Sequence, residues 1–539
     1  MSNEHLNLEN LREEWRFMKR WRIEGILFTR EPFFIGSGEV MERADIDPDA
    51  GPVEVSECIK GCDGRPIIPG SSLKGCVRRW LETNCPNEKD YKDYIECVFG
   101  NGPVSDPDQE MVGSRVCFHD CPVTMPRTDP TPLPFFNRDT QTFIEAHTCM
   151  DRVSGTVAEN KLFYQEVVPP GVGFEVVITG SCKDDREIGL VLAGLEGFCH
   201  ADAPLRLGSG THSGRGSLGW EPRGVQVMGE EEVKRWLSNP ETMFFNHMTQ
   251  WKSDEIKKAA DKVKRKCTGS GGEDSYFTLS ITLSFDSHFL VNDPPTREEK
   301  QEAERRYEKQ KEKDPAVVKS DIVPSDFRPR KDHMGRVLLP ATSFRGALRS
   351  QAERILKTID KKACNPARDP GGGDNDESCP VVEKLKDLEN LCLACRLFGA
   401  PGWRSPLEIS DFTLMPREDG RDYEFTTQEF VAIDRFTGGG KQGAKFNACA
   451  IYRPVFTGTI RVDLKRLRIP KAPGADRNDA LAVLALVLRD LIEGDITFGF
   501  GSSKGYGTCT ATVDQWTDGS EFMEMAKKGL KQLNADETG

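Results

Sequence analysis

Apolar and polar residues alternate strictly along YFTLSITLSF, residues 276–285. A period of two sends successive side chains to opposite faces, so this stretch is expected to be a half-buried strand. Looser strand patterns run through Glu24–Phe34, Phe174–Gly180 and Thr457–Leu464. The period changes to three or four in Ser72–Glu82, Ser343–Leu356 and Asp479–Leu491, which are expected to be helices. In the first, Leu73, Val77, Trp80 and Leu81 share one face. Strands and helices interleave without a GxGxxG fingerprint. That predicts an α+β fold of small sheets, of the split βαβ type, rather than a dinucleotide-binding one.

The pattern occurs twice. PGSSLKGCVRRWLE starts at Pro69 and PATSFRGALRSQAE at Pro340, 271 residues later, with basic residues at matching places: Lys74 and Arg78, then Arg345 and Arg349. MDRVSGTV (150–157) is matched by IDRFTGGG (433–440), and the glycine-rich GSGTHSGRGSLG (208–219) by GFGSSKGYG (499–507). Three features in one order, at nearly constant offset, read as an internal duplication. The expected units are residues 1–227 and 276–539. Residues 228–275, two charged helical stretches and the break TGSGGEDS, are read as a linker. The alternating charges of 296–314 predict a solvated helix inserted in the second unit.

Charge and composition narrow the function. Among the 539 residues no run of about eighteen apolar positions exists, and the N-terminus lacks a signal-peptide core, so a cytoplasmic protein without a membrane span is expected. Seventeen cysteines in such a chain are expected to be buried thiols or metal ligands. The net charge of −13 argues against a wholly basic nucleic-acid binder and leaves room for a local basic track.

Two kinds of anion site suggest themselves in each repeat. Ser71 or Ser72, and Ser343 in the second copy, are placed to cap a helix whose first turn carries Lys74 or Arg345. Arg78 and Arg349 follow four residues on, over the same face. Free amides plus two cations make a phosphate cradle, and Gly75 would let another backbone approach closely. The glycine loops add unhindered amides around Arg215 and Lys504, without the GxxxxGK[ST] order of a nucleotide-hydrolysing loop. Two such sets in one chain suit a single-stranded nucleic acid bound through its backbone.

In their order, IPGSSLKGCVRR, the Phe99-Gly100 pair, DRVSGTV and the glycine loop resemble the RAMP superfamily, in the branch of backbone subunits of type III CRISPR effector complexes. LPATSFRGALR, CRLFG, AIDRFTGG and FGFGSSKGYG repeat that order. The resemblance covers both copies and implies two tandem RRM-like (ferredoxin-like) domains that bind guide RNA (crRNA) alongside other effector subunits. It implies a β-hairpin thumb from each domain, placed here near Pro122–His147 and Phe412–Ala432, that interrupts the guide–target duplex. It also makes Arg152 and Arg435 of the two DR pairs candidate RNA contacts.

Members of this family often cut target RNA with an aspartate in a mobile loop before the IPGSSLKG-type helix. In the first copy that loop is 36–64, where Asp47 matches best, with Asp45 and Asp49 nearby; in the second, Asp326 matches, with Asp321 in reserve. A carboxylate there would hold Mg or Mn, or orient a 2′-hydroxyl for in-line attack. Cys364, Cys379, Cys392 and Cys395, closing in a CxxC, are expected to bind structural zinc. Two other readings stay open: a catalytically inert backbone subunit, and an endoribonuclease that processes the guide precursor. Against the second, the eight histidines show no paired spacing.

Overall fold

The computed structural model describes residues 19–46, 51–85, 89–101, 112–128, 133–150, 157–200, 204–239, 244–270, 276–364, 379–467, 477–516, 524, 526–529 and 531. It is an α+β structure. Strand β1 (Lys19–Thr29) is followed by a hairpin, β2 (Gly36–Arg43) and β3 (Val53–Cys58), then β4 (Ile67–Ile68) and helix α1 (Gly70–Asn84). Helix α2 (Lys89–Phe99) leads to β5 (Val116–Phe118) and β6 (Cys121–Met125). A long hairpin follows, β7 (Phe143–Met150) and β8 (Val157–Val167), then β9 (Gly173–Cys182), α3 (Asp185–Glu196) and β10 (Leu218–Met228). The first sheet runs β10-β1-β9-β6-β4, with β5 also on β9.

The second repeat uses the same plan. It contains β12 (Tyr276–Phe285), β14 (Leu338–Leu339), β15 (Leu407–Ile409), β16 (Phe412–Leu414), β19 (Val455–Asp463) and β20 (Cys509–Trp516). These pair in the order β20-β12-β19-β16-β14, with β15 also on β19. Even the irregularities match. β1 bulges against β10 between Glu24 and Gly25, and β12 bulges against β20 between Ser280 and Ile281. β12 alternates in burial along its whole length, as its period of two requires. The first strand ends at Thr29 rather than at Phe34. Pro32 has no amide hydrogen to continue the ladder.

One layer of helices covers each sheet. Leu73, Val77, Trp80 and Leu81 of α1 pack with the apolar face of α3 onto Ile23, Leu27 and Phe174. In the second copy Phe344, Leu348, Ala352 and Leu356 of the helix Ala341–Thr358 pack with Leu481, Leu484 and Leu488 of the helix Arg477–Glu493. The stretch read as a linker is partly built into the first layer. Thr249–Gln250 forms β11 on the edge of β10, and the helix Ser253–Ser270 lays Ala259 against Gly189 of α3, burying Ala260 and Val263. The charged insertion is a helix, Arg297–Lys311, started by a Thr296–Glu299 capping box and burying only Ala303.

Two features differ from the sequence expectations. Residues 36–64 hold a hairpin rather than an open loop. β3 pairs in parallel with β8, giving a separate sheet of order β2-β3-β8-β7. The long hairpins also lie further along the chain than Pro122–His147 and Phe412–Ala432. They are β7–β8, and β17 (Phe425–Ile433) with β18 (Gly440–Tyr452). After β6, Pro126 and Pro134 carry no amide hydrogen for a ladder, and the pairing of β7 with β8 begins at Phe143. No helix among the described residues is long and apolar enough to cross a membrane.

Candidate nucleic-acid interface

The helix starts are the first surprise. Neither Ser71, Ser72 nor Ser343 caps its helix: the N-caps are Pro69 and Pro340, without a side-chain cap bond. Proline fixes φ near −65° and brings no donor, which suits the residue just before the first turn. The foremost amides are taken by aspartates from the neighbouring strand. Gly70 N–H donates to Asp120 Oδ1 at 2.8 Å, and Ala341 N–H to Asp411 Oδ1 at 2.7 Å. Each repeat thus fills the positive end of its own helix with its own carboxylate.

The basic residues are largely engaged inside the chain. Arg78 bonds Glu82 and the Gly100 carbonyl, and Arg349 bonds Glu353 and the Gly399 carbonyl. Both clamp the Phe-Gly turn that ends the following helix. Arg345 is buried, donating to the carbonyls of Phe398 and Leu407. Lys74 reaches Ser114 Oγ at 2.7 Å and stays partly exposed. What remains open on this face is Ser71, Ser72, Lys74 and Gly75. A Cβ added at Gly75 meets nothing within 4 Å, and Gly346 is the same, so neither glycine serves a close approach within the chain.

The glycine loops keep their shape in both copies. At Gly216 (φ 77°) and Gly507 (φ 75°) an added Cβ would run into the Leu207 and Phe498 carbonyls. Their cations differ. Lys504 is exposed, lying over the rings of Phe430 and Phe500 at 5.7 and 5.0 Å. Arg215 is buried, paired with Glu145 and hydrogen bonded to Gln165, both on the β7–β8 hairpin. Arg330, from the second repeat, pairs with the same Glu145. Burial alone would raise the Glu145 carboxyl; Arg330 and Arg215 together hold it well below the usual carboxylate range.

That ion pair belongs to the junction between the repeats. The first glycine loop docks on the second repeat's helix start: Ile409 N–H donates to the His212 carbonyl, and Gly214 faces Asp411 and Ala341. The equivalent surface of the first repeat, Cys117, His119 and Asp120, is exposed, as is the loop around Lys504. Covering Asp411 has a cost: burial pushes its carboxyl up to about 7. A raised folded-state value means the stability contributed is complete below the ordinary value of 3.8 and is lost as pH rises through about 7. Asp411→Asn keeps an acceptor for Ala341 without the charge. Its melting temperature relative to wild type is therefore expected to improve steadily between pH 4 and pH 8; parallel curves would refute this.

The tip of the β17–β18 hairpin carries its DR pair. Arg152 and Asp151 lie outside the described residues. In the second copy Asp434 Oδ1 accepts from the amides of Phe436 and Thr437 at 2.9 and 2.8 Å, an Asx turn that presents Arg435 and a wholly exposed Phe436.

Of the aspartates, Asp47 and Asp49 lie outside the described residues. Asp45 is exposed but held by Arg43 at 2.7 and 2.6 Å. Asp326 is locked: Lys300 lies 2.6 Å away, and Asp326 and Asn447 exchange hydrogen bonds with each other's backbone amides. Strand pairing also places it. Val55 pairs with Tyr164 in the first copy and Phe327 with Ala448 in the second, so Asp326 stands at the level of Glu54. By count along the sequence Asp321, not Asp326, corresponds to Asp49, two residues past Asp47. The side chain of Asp321 is outside the described atoms; its backbone lies in a short 3-10 turn, Lys319–Asp321.

The four cysteines converge. The sulfurs of Cys364, Cys379, Cys392 and Cys395 all lie within 4.8 Å of one another. Cys392 and Cys364 are 3.8 Å apart, the separation expected for two thiolates on a tetrahedral ion with bonds of about 2.3 Å. Amide hydrogens point at sulfur, from Cys392 to Cys379 and from Cys395 to Cys392, and Arg349 reaches Cys395 Sγ at 3.2 Å. Hydrogen bonds from Cys364, Cys379 and Cys395 hold the Cys392 thiol far below its ordinary value. This donor set can hold a metal ion. In the first repeat Asp93 and Glu96 stand at the corresponding places before Gly100.

Sequence reasoning missed Asp120 and Asp411, though each stands two residues after a short strand, β5 and β15. It also missed Glu145 and Arg330, which carry no local signal.

A family model described as the RAMP superfamily matches residues 28–219 and 241–510. No curated protein matches the chain.

Proposed function

Because the chain belongs to the RAMP superfamily and is thereby a CRISPR-associated subunit that binds RNA, we propose that it is a double backbone subunit of a type III effector complex that holds guide RNA and cuts complementary target RNA. The observation that carries this reading is one surface met in two states. At the junction, a glycine loop covers the Asp411 helix start; at the two ends of the chain, the Asp120 helix start and the Lys504 loop are bare. Surfaces that are complementary and unfilled at opposite ends support head-to-tail stacking with further RAMP subunits along a polymer.

Guide RNA would lie across the side of the first repeat's helix start that stays open, at Ser71, Lys74 and Gly75. A glycine inside a helix costs about 1 kcal/mol relative to alanine, and here the chain itself gains nothing from it in either copy. An RNA backbone resting on Ser71, Lys74 and Gly75 accounts for that cost. Gly75→Ala is therefore expected to stabilise the free protein by up to about 1 kcal/mol while weakening guide RNA binding about tenfold. Tighter RNA binding by this variant would remove the helix start from the interface. Phe436, with Arg435 beside it, is the wedge of a thumb hairpin, displacing a base pair of the duplex.

Cleavage falls to the tip of β2–β3 and its counterpart. Asp47 would orient the 2′-hydroxyl of the displaced nucleotide, which attacks its own phosphorus in line. The bond to the 5′-oxygen breaks, leaving a 2′,3′-cyclic phosphate and a 5′-hydroxyl. A divalent ion, Mg or Mn, would supply charge neutralisation at that phosphate. In the second repeat the same role passes to Asp321 rather than to the ion-paired Asp326. The four cysteines we assign to zinc as a structural metal. The test is a labelled complementary RNA given to the complex assembled on its guide. Regularly spaced cuts with cyclic ends are expected; an intact target in Mg and in Mn would leave a scaffold only.

A further inference from the structure

A cleft of about 130 Å³ opens between the repeats, its arginines distinct from those of the interface described above. Its first wall is the later half of α1, with Arg79 and Trp80, together with Arg206. Its second wall comes from the other repeat: Arg404, Arg461 and Arg466, with Tyr276 at the start of β12. Five guanidinium groups line it, against two carboxylates, Glu408 and Asp463.

The carboxylates do not balance this charge. Glu408 answers both Arg404, at 3.0 Å, and Arg461. Asp463 stands 3.8 Å from Arg466, whose guanidinium lies over the Trp403 ring. Arg206 pairs outside the cleft with Glu31, and its Nε is buried without a hydrogen-bond partner. Arg79 is exposed and makes no ion pair among the described residues. Burial, and then the charges of Arg79 and Arg404, pull Arg466 below its ordinary value, as crowding of like charges should.

We propose that this inter-repeat cleft binds a phosphate group. Arginine is the side chain whose planar fork matches phosphate oxygens in pairs, and a partly desolvated cleft strengthens each such bond. Size sets the limit. A cavity of about 130 Å³ has room for one tetrahedral oxyanion. The phosphate is therefore either free or one group of a longer RNA whose remainder stays outside. The site would act as a pin, joining the two repeats through an anion that both walls grasp.

The test is calorimetric titration of the full chain with sodium phosphate at constant ionic strength, and with guide RNA. Saturable one-to-one phosphate binding is expected, weakened about tenfold in Arg79→Gln and further in Arg79→Gln/Arg466→Gln. Arg79 is exposed, so its single variant should melt as wild type does, which keeps the comparison free of misfolding. If RNA supplies the phosphate, the RNA-loaded chain takes up none, and Arg79→Gln also weakens RNA binding. If free phosphate is the ligand, the RNA-loaded chain titrates as before. Equal binding of both probes by wild type and the double variant overturns the proposal, and does so whether or not the chain cuts RNA.

Discussion

Cys395→Ser is expected to release one equivalent of zinc and to unfold the second repeat while the first stays folded. The cysteines are not a surface knuckle. Cys364, Cys392 and Cys395 are buried in the same apolar cluster as Leu388, Leu391, Leu397 and Phe398, and that cluster continues to the helix Arg477–Glu493. Removing Cys395 takes away the sulfur that Arg349, which also holds the Gly399 turn, reaches at 3.2 Å. Structural zinc contributes its binding free energy directly to folding, on the order of 10 kcal/mol in isolated fingers. A loss of even half of that exceeds what one domain can spare. The readouts are zinc content by mass spectrometry and a two-step melt in which only one step moves. Chelator should act on wild type in the same direction. A chain that holds no metal when purified from zinc-containing medium, and melts unchanged in Cys395→Ser, would show four merely buried thiols.

Asp47→Ala is expected to abolish one set of target cuts, by a factor of about a hundred to a thousand, the range for losing one group that orients or stabilises the reacting atoms. The other cuts and the guide RNA affinity should stay as in wild type. In the second repeat the ion pairing of Asp326 favours Asp321, the candidate that the sequence held in reserve. Asp321→Ala should remove the second set of cuts. Asp326→Ala should instead lower the melting temperature modestly, because it frees Lys300 and breaks the exchange with Asn447. Loss of cutting in Asp326→Ala with a normal melt would reverse this assignment. Normal cutting in both Asp47→Ala and Asp321→Ala would place catalysis elsewhere.

The duplication, the α+β class and the central strands were legible because they are written in local periodicity and in paired motifs. Tyr276–Phe285 could hardly be anything but a strand, and the two PGSS and PATS starts announce one helix twice. The cysteine cluster was legible too, since a closing CxxC brings two ligands together by backbone geometry alone. Less visible were the hairpin β2–β3 and the extent of β7–β8. Their stability comes from each other, through the parallel pairing of Val55 with Tyr164 across more than a hundred residues.

By itself the sequence determined how many repeats there are, which segments form their sheets and helices, and which residue types gather at each motif. Tertiary structure decided what those residues are free to do. Lys74 and Lys504 remain available, while Arg215 and Arg345, their equivalents by repeat, are buried on partners from distant segments. A positive charge in a motif is the same in the chain as in the fold. Whether it faces a phosphate or a carboxylate depends on which strand is folded against it: Glu145 reaches Arg215, and the Phe398 carbonyl reaches Arg345, only once each repeat has folded.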